Sequence, residues 1–202
     1  MNIALVGATG NAGSRILAEL TRRGHIVTAI ARNPDRVAAQ GGVTARKGDA
    51  NEPDALATLL RGHDAVVSAV MFVDSDPDTL IGAVRTSGVT RYLVVGGAGS
   101  LEAAPGLKVV DTPDFALQYK AEATAGGVFL DALRTVQDLD WTFLSPSALF
   151  VPGERTGTFR LGTDQLLVNE QGSSISFEDY AVALVDELET PAHIRRRFTV
   201  GY

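Results

Sequence analysis

The sequence contains no cysteine. Disulfides, thiolate metal sites and cysteine nucleophiles are therefore excluded together, and a reducing compartment suits the chain. Positive charge is also scarce: 18 Lys and Arg against 24 Asp and Glu leave a net charge of −6. A protein that binds a phosphate backbone carries a basic face to release counterions, so no nucleic-acid partner is expected. The one dense basic run, Arg195-Arg196-Arg197, has no interleaved aromatics and reads as a solvated face. Long apolar runs are missing too. The longest, AVVSAVMFV from Ala65 to Val73, falls well short of the roughly 20 residues that a membrane helix needs. The first residues pass straight into a strand-like run with no basic prelude, which predicts no signal peptide, no membrane partner and a cytoplasmic protein. His25, His63 and His193 fall in turns or near helix ends without a partnered motif, so they are read as surface residues and no metal site is expected.

What is present is alternation. Short β-branched runs recur with helical segments between them: IALV from Ile3, IVTAIA from Ile26, VTAR from Val43, AVVSAV from Ala65, YLVV from Tyr92 and WTFLS from Trp141. Most are apolar throughout, as strands are when helices cover both faces. This predicts an α/β, Rossmann-like, doubly wound parallel sheet built from right-handed βαβ crossovers. Asn33-Pro-Asp, Glu52-Pro-Asp, Asp76-Pro-Asp and Thr112-Pro-Asp each place proline where a helix would start, followed by an acid suited to the helix dipole. Residues 1–202 are expected to form one domain, with 146–202 as a small C-terminal segment on the substrate side. Within that segment Ser176 and Asp179 resemble a capping box ahead of an apolar helical stripe, and RFTVGY reads as a final strand.

Gly7, Gly10 and Gly13 form G-x-x-G-x-x-G between the first strand and the first helix. A loop without Cβ atoms can turn sharply and let a pyrophosphate approach the free N–H groups of a helix beginning near Ala12. No Gly-Lys-Ser/Thr follows, so this is not a triphosphate-hydrolysing loop. At the end of the second strand Ala31 leaves no carboxylate to repel a 2′-phosphate, and Arg32 can pair with one through two parallel hydrogen bonds. NADP(H) is thereby favoured over NAD(H), although a solvated arginine at a strand end has the same appearance.

The stretches GATGNAGSRI, ARNP, KGDA and SAV, with LDWTFLSPSALFVPGERTGTFRLGTDQLLV and SFEDYAVALVDELETPAHIRRRFTVGY, resemble the atypical short-chain dehydrogenase/reductase proteins known as NADH-flavin reductases. Biliverdin reductase B and NmrA-like proteins are similar. The resemblance spans almost the whole chain. It implies that the dinucleotide phosphates lie over Thr9, Gly10, Asn11, Ala12 and Gly13, with Arg32, Asn33, Asp49 and Ala50 at the adenosine end. It further implies that Ala69 and Val70 line the ribose side and that Ser145 to Ser147, with Pro146 between them, border the nicotinamide. Asp49 can accept from the adenine amino group or serve as a turn residue in KGDANEPD.

Ketone reducers of the larger superfamily use a tyrosine with a lysine four residues on. Here Tyr92, Tyr119 and Tyr180 are followed at that distance by Gly96, Ala123 and Leu184, and Tyr202 is the last residue. Hydride transfer to a carbonyl leaves an alkoxide that needs a proton donor, whereas a flavin disperses the charge over its ring system. The expected function is therefore an NAD(P)H-dependent oxidoreductase passing hydride to a flavin or similar planar acceptor. The alternative is a catalytically silent NADP(H)-binding redox sensor. Gly97 would permit close approach at the nicotinamide, and Ser100 and Lys120 are the weak candidates for substrate contact. The assembly is expected to be a monomer or homodimer.

Overall fold

The computed structural model describes residues 1–202. A first half of regular crossovers runs β1 (Asn2–Val6), α1 (Asn11–Arg22), β2 (Ile26–Ala31), β3 (Val43–Lys47), α2 (Pro53–Leu60), β4 (Ala65–Ser68), α3 (Pro77–Ser87) and β5 (Arg91–Val95). A small hairpin, β6 (Glu102–Ala104) and β7 (Leu107–Lys108), precedes α4 (Lys120–Arg134) and β8 (Asp140–Pro146). The chain closes with β9 (Leu149–Val151), β10 (Arg160–Gly162), β11 (Ser174–Ser176), α5 (Phe177–Glu189) and β12 (Arg196–Gly201).

The main sheet has the order β10-β12-β8-β5-β4-β1-β2-β3, parallel throughout except for β10 at one edge. Alternate side chains of one strand enter two different cores. In β1, Ala4 and Val6 join the cluster that α2, α3 and α4 cover, while Ile3 and Leu5 join the cluster under α1 and α5. Both faces are thus dry, which is why the strands read as unbroken apolar runs. This is the doubly wound, Rossmann-like fold. The strand order reverses between β1 and β4, and in such sheets a crevice opens there, beyond the strands' carboxyl ends.

Helix α2 starts at Pro53 and α3 at Pro77, as the proline signals predict. The other two signals are corrected. After Asn33 there is only a three-residue 3-10 turn, Pro34–Arg36, whose first N–H is held by the Asn33 side chain. Ala38, Ala39 and Gln40 are exposed and offer no stripe to bury, so the turn does not grow into a helix. At Thr112 no helix begins. The Thr112 N–H and hydroxyl both turn back to the Val109 carbonyl, at 3.2 and 2.8 Å, and close the preceding turn instead.

The stretch 146–202 supplies more than a cover. Strand β12 lies inside the sheet between β8 and β10, and α5 packs along α1. Arg197 is not solvated: its side chain is buried, with Nε donating to Asp164 at 2.9 Å and Nη1 to Ser100 Oγ at 3.2 Å. The histidines are likewise engaged. His25 is buried against Glu189, His63 bonds the Leu60 carbonyl and Thr28, and His193 stacks on Phe198 with Nδ1 on Glu187. No group of His, Asp and Glu is arranged to hold a metal. No helix is long and apolar enough to cross a membrane.

Candidate functional site

At the switch point lies a cleft of about 510 Å³. Its floor is the end of β1 (Val6, Gly7), one wall is the loop after β4 (Ala69, Val70, Met71, Asp74), and the other comprises the ends of β2 and β3 with the residues that follow them. The walls approach so closely that the loop needs glycine. Gly7 has φ +84°, and a Cβ there would lie 2.3 Å from the Ala69 carbonyl oxygen. A Cβ on Gly13 would sit 2.1 Å from the Gly7 carbonyl oxygen, so α1 could not begin directly behind the loop.

Gly10 is different. Its φ of −74° and ψ of 174° suit any residue, and a Cβ would come no nearer than 3.4 Å to its neighbours. The fold therefore gives no reason for glycine at this N-cap, which lines the cleft with Thr9 and Asn11. No side chain caps α1 and no acid stands in its first turn. The first helical closure is the Ser14 N–H to the Gly10 carbonyl at 2.9 Å, leaving the N–H groups of Asn11, Ala12 and Gly13 without protein partners. A small anion fits this end electrostatically and by hydrogen-bond count.

Arg32 and Asn33 line the cleft, as do Asp49 and Ala50. Arg36, at the end of the 3-10 turn Pro34–Arg36, joins them, and neither guanidinium is drawn into an ion pair. Asn33 Oδ1 accepts from the Asp35 N–H at 3.2 Å, and Asp49 Oδ1 from the Asn51 N–H at 3.0 Å, so both also serve turns. Sequence reasoning missed Arg36, Asn51, Met71 and Asp74. Nothing in the pattern marked Arg36, because a three-residue 3-10 turn with no period of its own returns it to the cleft, and the others belong to loops whose path only the assembled sheet defines.

Ala12 and Gly13, in the first turn of α1, lie outside this cleft lining, as do Gly97, Ser145, Pro146, Ser100 and Lys120. Gly97 follows β5, and Ser145 and Pro146 end β8. Ser145 is fully buried and its Oγ has no hydrogen-bond partner. Ser100 receives the Arg197 hydrogen bond, and Lys120 opens α4 in an exposed position. Two tyrosines are withdrawn from chemistry. Tyr92 shares a 2.9 Å hydrogen bond with Ser68, and Tyr180 donates to the Leu144 carbonyl at 2.7 Å. Burial pushes both phenols well above their ordinary range, making them poor proton donors.

Comparisons with known proteins agree on the family and differ on activity. A family model described as NAD(P)H-binding matches residues 7–191. A Burkholderia pseudomallei structure, provisionally named an exported protein, is 49% identical with a TM-score of 0.90 and full coverage of both chains. A Bacteroides thetaiotaomicron structure, provisionally named an epimerase, is 40% identical with a TM-score of 0.94, covering 100% of this chain and 96% of its own. A Streptococcus pneumoniae structure, provisionally named an NADH-flavin reductase, is 39% identical with a TM-score of 0.84, covering 100% and 99%.

Proposed function

This chain belongs to the NAD(P)H-binding family, and from that premise we propose an NADPH-dependent reductase that passes hydride to a flavin or similar planar acceptor. The uncapped start of α1 behind Gly10 carries the reading: the fold leaves three N–H groups and an unneeded glycine where a pyrophosphate would complete the helix end. Gly7, Thr9, Gly10, Asn11, Ala12 and Gly13 would hold the phosphates. Ala50 and Asp49 would flank the adenine, with Asn33 beside them, and Ala69 and Val70 the ribose side. Arg32 and Arg36, both free, would take the 2′-phosphate. Gly97, Ser145 and Pro146 would border the nicotinamide, with Ser145 and Pro146 buried at the end of β8 behind that ring.

The bound coenzyme would supply a hydride. This chain's part is to orient two flat rings, which alone can account for several kcal/mol of the barrier. With Tyr92 and Tyr180 buried and no Tyr-x-x-x-Lys motif, an acceptor that needs no proton donor fits best. The same fact discourages reading an epimerase from the Bacteroides relative's name. It also favours a second reading, a silent redox sensor, whose mark would be unequal affinity for NADP and NADPH without turnover. A cytoplasmic site, where NADPH is regenerated, goes with either reading.

The test is to mix the protein with NADPH and a panel of FMN, FAD, riboflavin, quinones and aldehydes, following absorbance at the nicotinamide band. Oxidation with a flavin or quinone supports the reductase; tight binding with no turnover on any acceptor supports the sensor. Arg32→Ala is expected to weaken NADPH by about tenfold or more and NADH little, since a guanidinium pairing with a phosphate supplies charge-assisted bonds. Equal losses for both coenzymes would remove Arg32 from the 2′-phosphate.

A further inference from the structure

The cleft wall after β4 is held from a distance. Residues Phe72–Asp74 form a 3-10 turn whose first two N–H groups, on Phe72 and Val73, donate to the two carboxylate oxygens of Glu122 at 2.9 and 3.0 Å. Glu122 stands in the first turn of α4, some fifty residues along the chain. The turn has no cap of its own. Beneath it the Phe72 ring packs against Phe129 and Phe143, with centroids 5.2 and 6.0 Å away, and against Gly126, where a Cβ would come within 3.0 Å of the ring. Each end of the turn is tied: Ser75 Oγ donates to the Met71 carbonyl at 2.9 Å, and Asn51 Nδ2 to the Asp74 carbonyl at 2.8 Å. Met71, just before this turn, and Asp74, its last residue, line the cleft.

The same turn of α4 also supports the other loop at the strand ends. Ala123, next to Glu122, packs under Gly99, where a Cβ would lie 2.6 Å from the Ala123 Cβ. One helical turn thus sets both the loop after β4 and the loop after β5.

We infer that Glu122 is the positioning residue for the dinucleotide: its carboxylate fixes the Ala69–Asp74 wall and couples α4, with the β5 loop that α4 supports, to whatever occupies the cleft. This rests on the dinucleotide reading above. Arg32 and Arg36 stand on the opposite wall, so Glu122 acts on the part of the molecule that NADPH and NADH share. Its loss weakens both alike, whereas loss of Arg32 changes their ratio. A glutamine at 122 keeps one accepting oxygen but turns an NH₂ toward the second N–H, donor against donor.

The experiment compares the wild-type chain with Glu122→Gln by calorimetric titration of NADPH and NADH at 25 °C, alongside amide hydrogen exchange. The expected result is an affinity loss of about tenfold for both coenzymes with their ratio unchanged, since two charge-assisted hydrogen bonds are compromised. Exchange is expected to quicken at Phe72 and Val73 and not across the sheet, whereas a general loosening of the fold would quicken it across the sheet as well and would not tie the affinity loss to this wall. Wild-type affinity in the variant overturns the inference while leaving the dinucleotide site intact. Should the variant not fold, the wild-type chain decides: saturating NADPH must slow exchange at the Phe72 and Val73 amides, and unchanged rates there overturn the coupling. Wild-type protein that binds neither coenzyme overturns the proposed function, and this inference with it.

Discussion

Helices α1 and α5 lie against each other on one face of the sheet, yet their first turns are finished in opposite ways. At α5, Ser176 Oγ accepts from the Asp179 N–H at 2.9 Å, and two acids follow. Glu178 accepts from the Gly153 N–H at 2.9 Å and from Arg15 at 3.0 Å; Asp179 accepts from Gly157 N–H, Thr156 and Tyr202. At α1 there is neither cap nor acid. A chain that closes one helix end so fully has the means to close both. The end left open is the one in the cleft, where negative charge from outside can do what Ser176, Glu178 and Asp179 do at α5.

The largest expected effect comes from closing the open end. Gly10→Asp places an acceptor and a charge at an N-cap whose backbone already accommodates a side chain. It is expected to raise thermal stability slightly, by about 1 kcal/mol, while weakening NADPH by about a hundredfold or more through repulsion of the pyrophosphate. Calorimetry beside a melting curve reads both, and retained affinity would mean that the pyrophosphate sits elsewhere. Removing an acid from the closed end, with the Ser176 cap left in place, should cost stability without touching the ligand. Asp179→Ala leaves the Gly157 N–H and the Thr156 and Tyr202 hydroxyls without their acceptor, and a loss of about 2 kcal/mol is expected in urea unfolding. NADPH affinity measured on the folded variant should match wild type; if it falls, the two ends are not independent.

Acid gives the smallest and most graded effect. Burial pushes the Glu178 carboxyl up, but the Gly153 N–H and Arg15 outweigh it, so its pKa in the folded chain lies below the ordinary 4.5. Because the folded value is the lower one, the stabilisation is complete above pH 4.5 and is lost as pH falls below it. The melting-temperature gap between wild type and Glu178→Gln should therefore hold steady from neutrality to about pH 5 and narrow below it. A gap that widens in acid would contradict the sign.

Much of the sheet was legible because its strands are dry on both faces. IVTAIA is β2 to the residue, and the final RFTVGY overlaps β12. The AVVSAV run was cut short: β4 ends at Ser68, and Ala69 and Val70 leave the sheet to form the cleft wall, apolar because Val70 still packs on the core. Strands of two or three residues, such as β6, β7 and β9 to β11, carry no period of their own and exist only because neighbouring segments meet there. The capping box was half right. Ser176 caps, but the Asp179 carboxylate turns away to Gly157, Thr156 and Tyr202, and the Ser176 N–H finds the Tyr202 hydroxyl at 3.3 Å. At the candidate site the glycines and Arg32 were visible because each is a local signal. Glu122 was not, since its partners are backbone groups half a sheet away.

The sheet's two borders also determine how copies of the chain can meet. At one, β10 runs against the rest for only three residues, and its first residue, Arg160, is engaged with the Val168 and Tyr202 carbonyls. At the other, β3 ends in exposed Arg46 and Lys47. A neighbour seeking to extend the sheet by strand addition finds a stub on one side and bare cations on the other, so the long apolar strands between them stay shielded from fibrous growth.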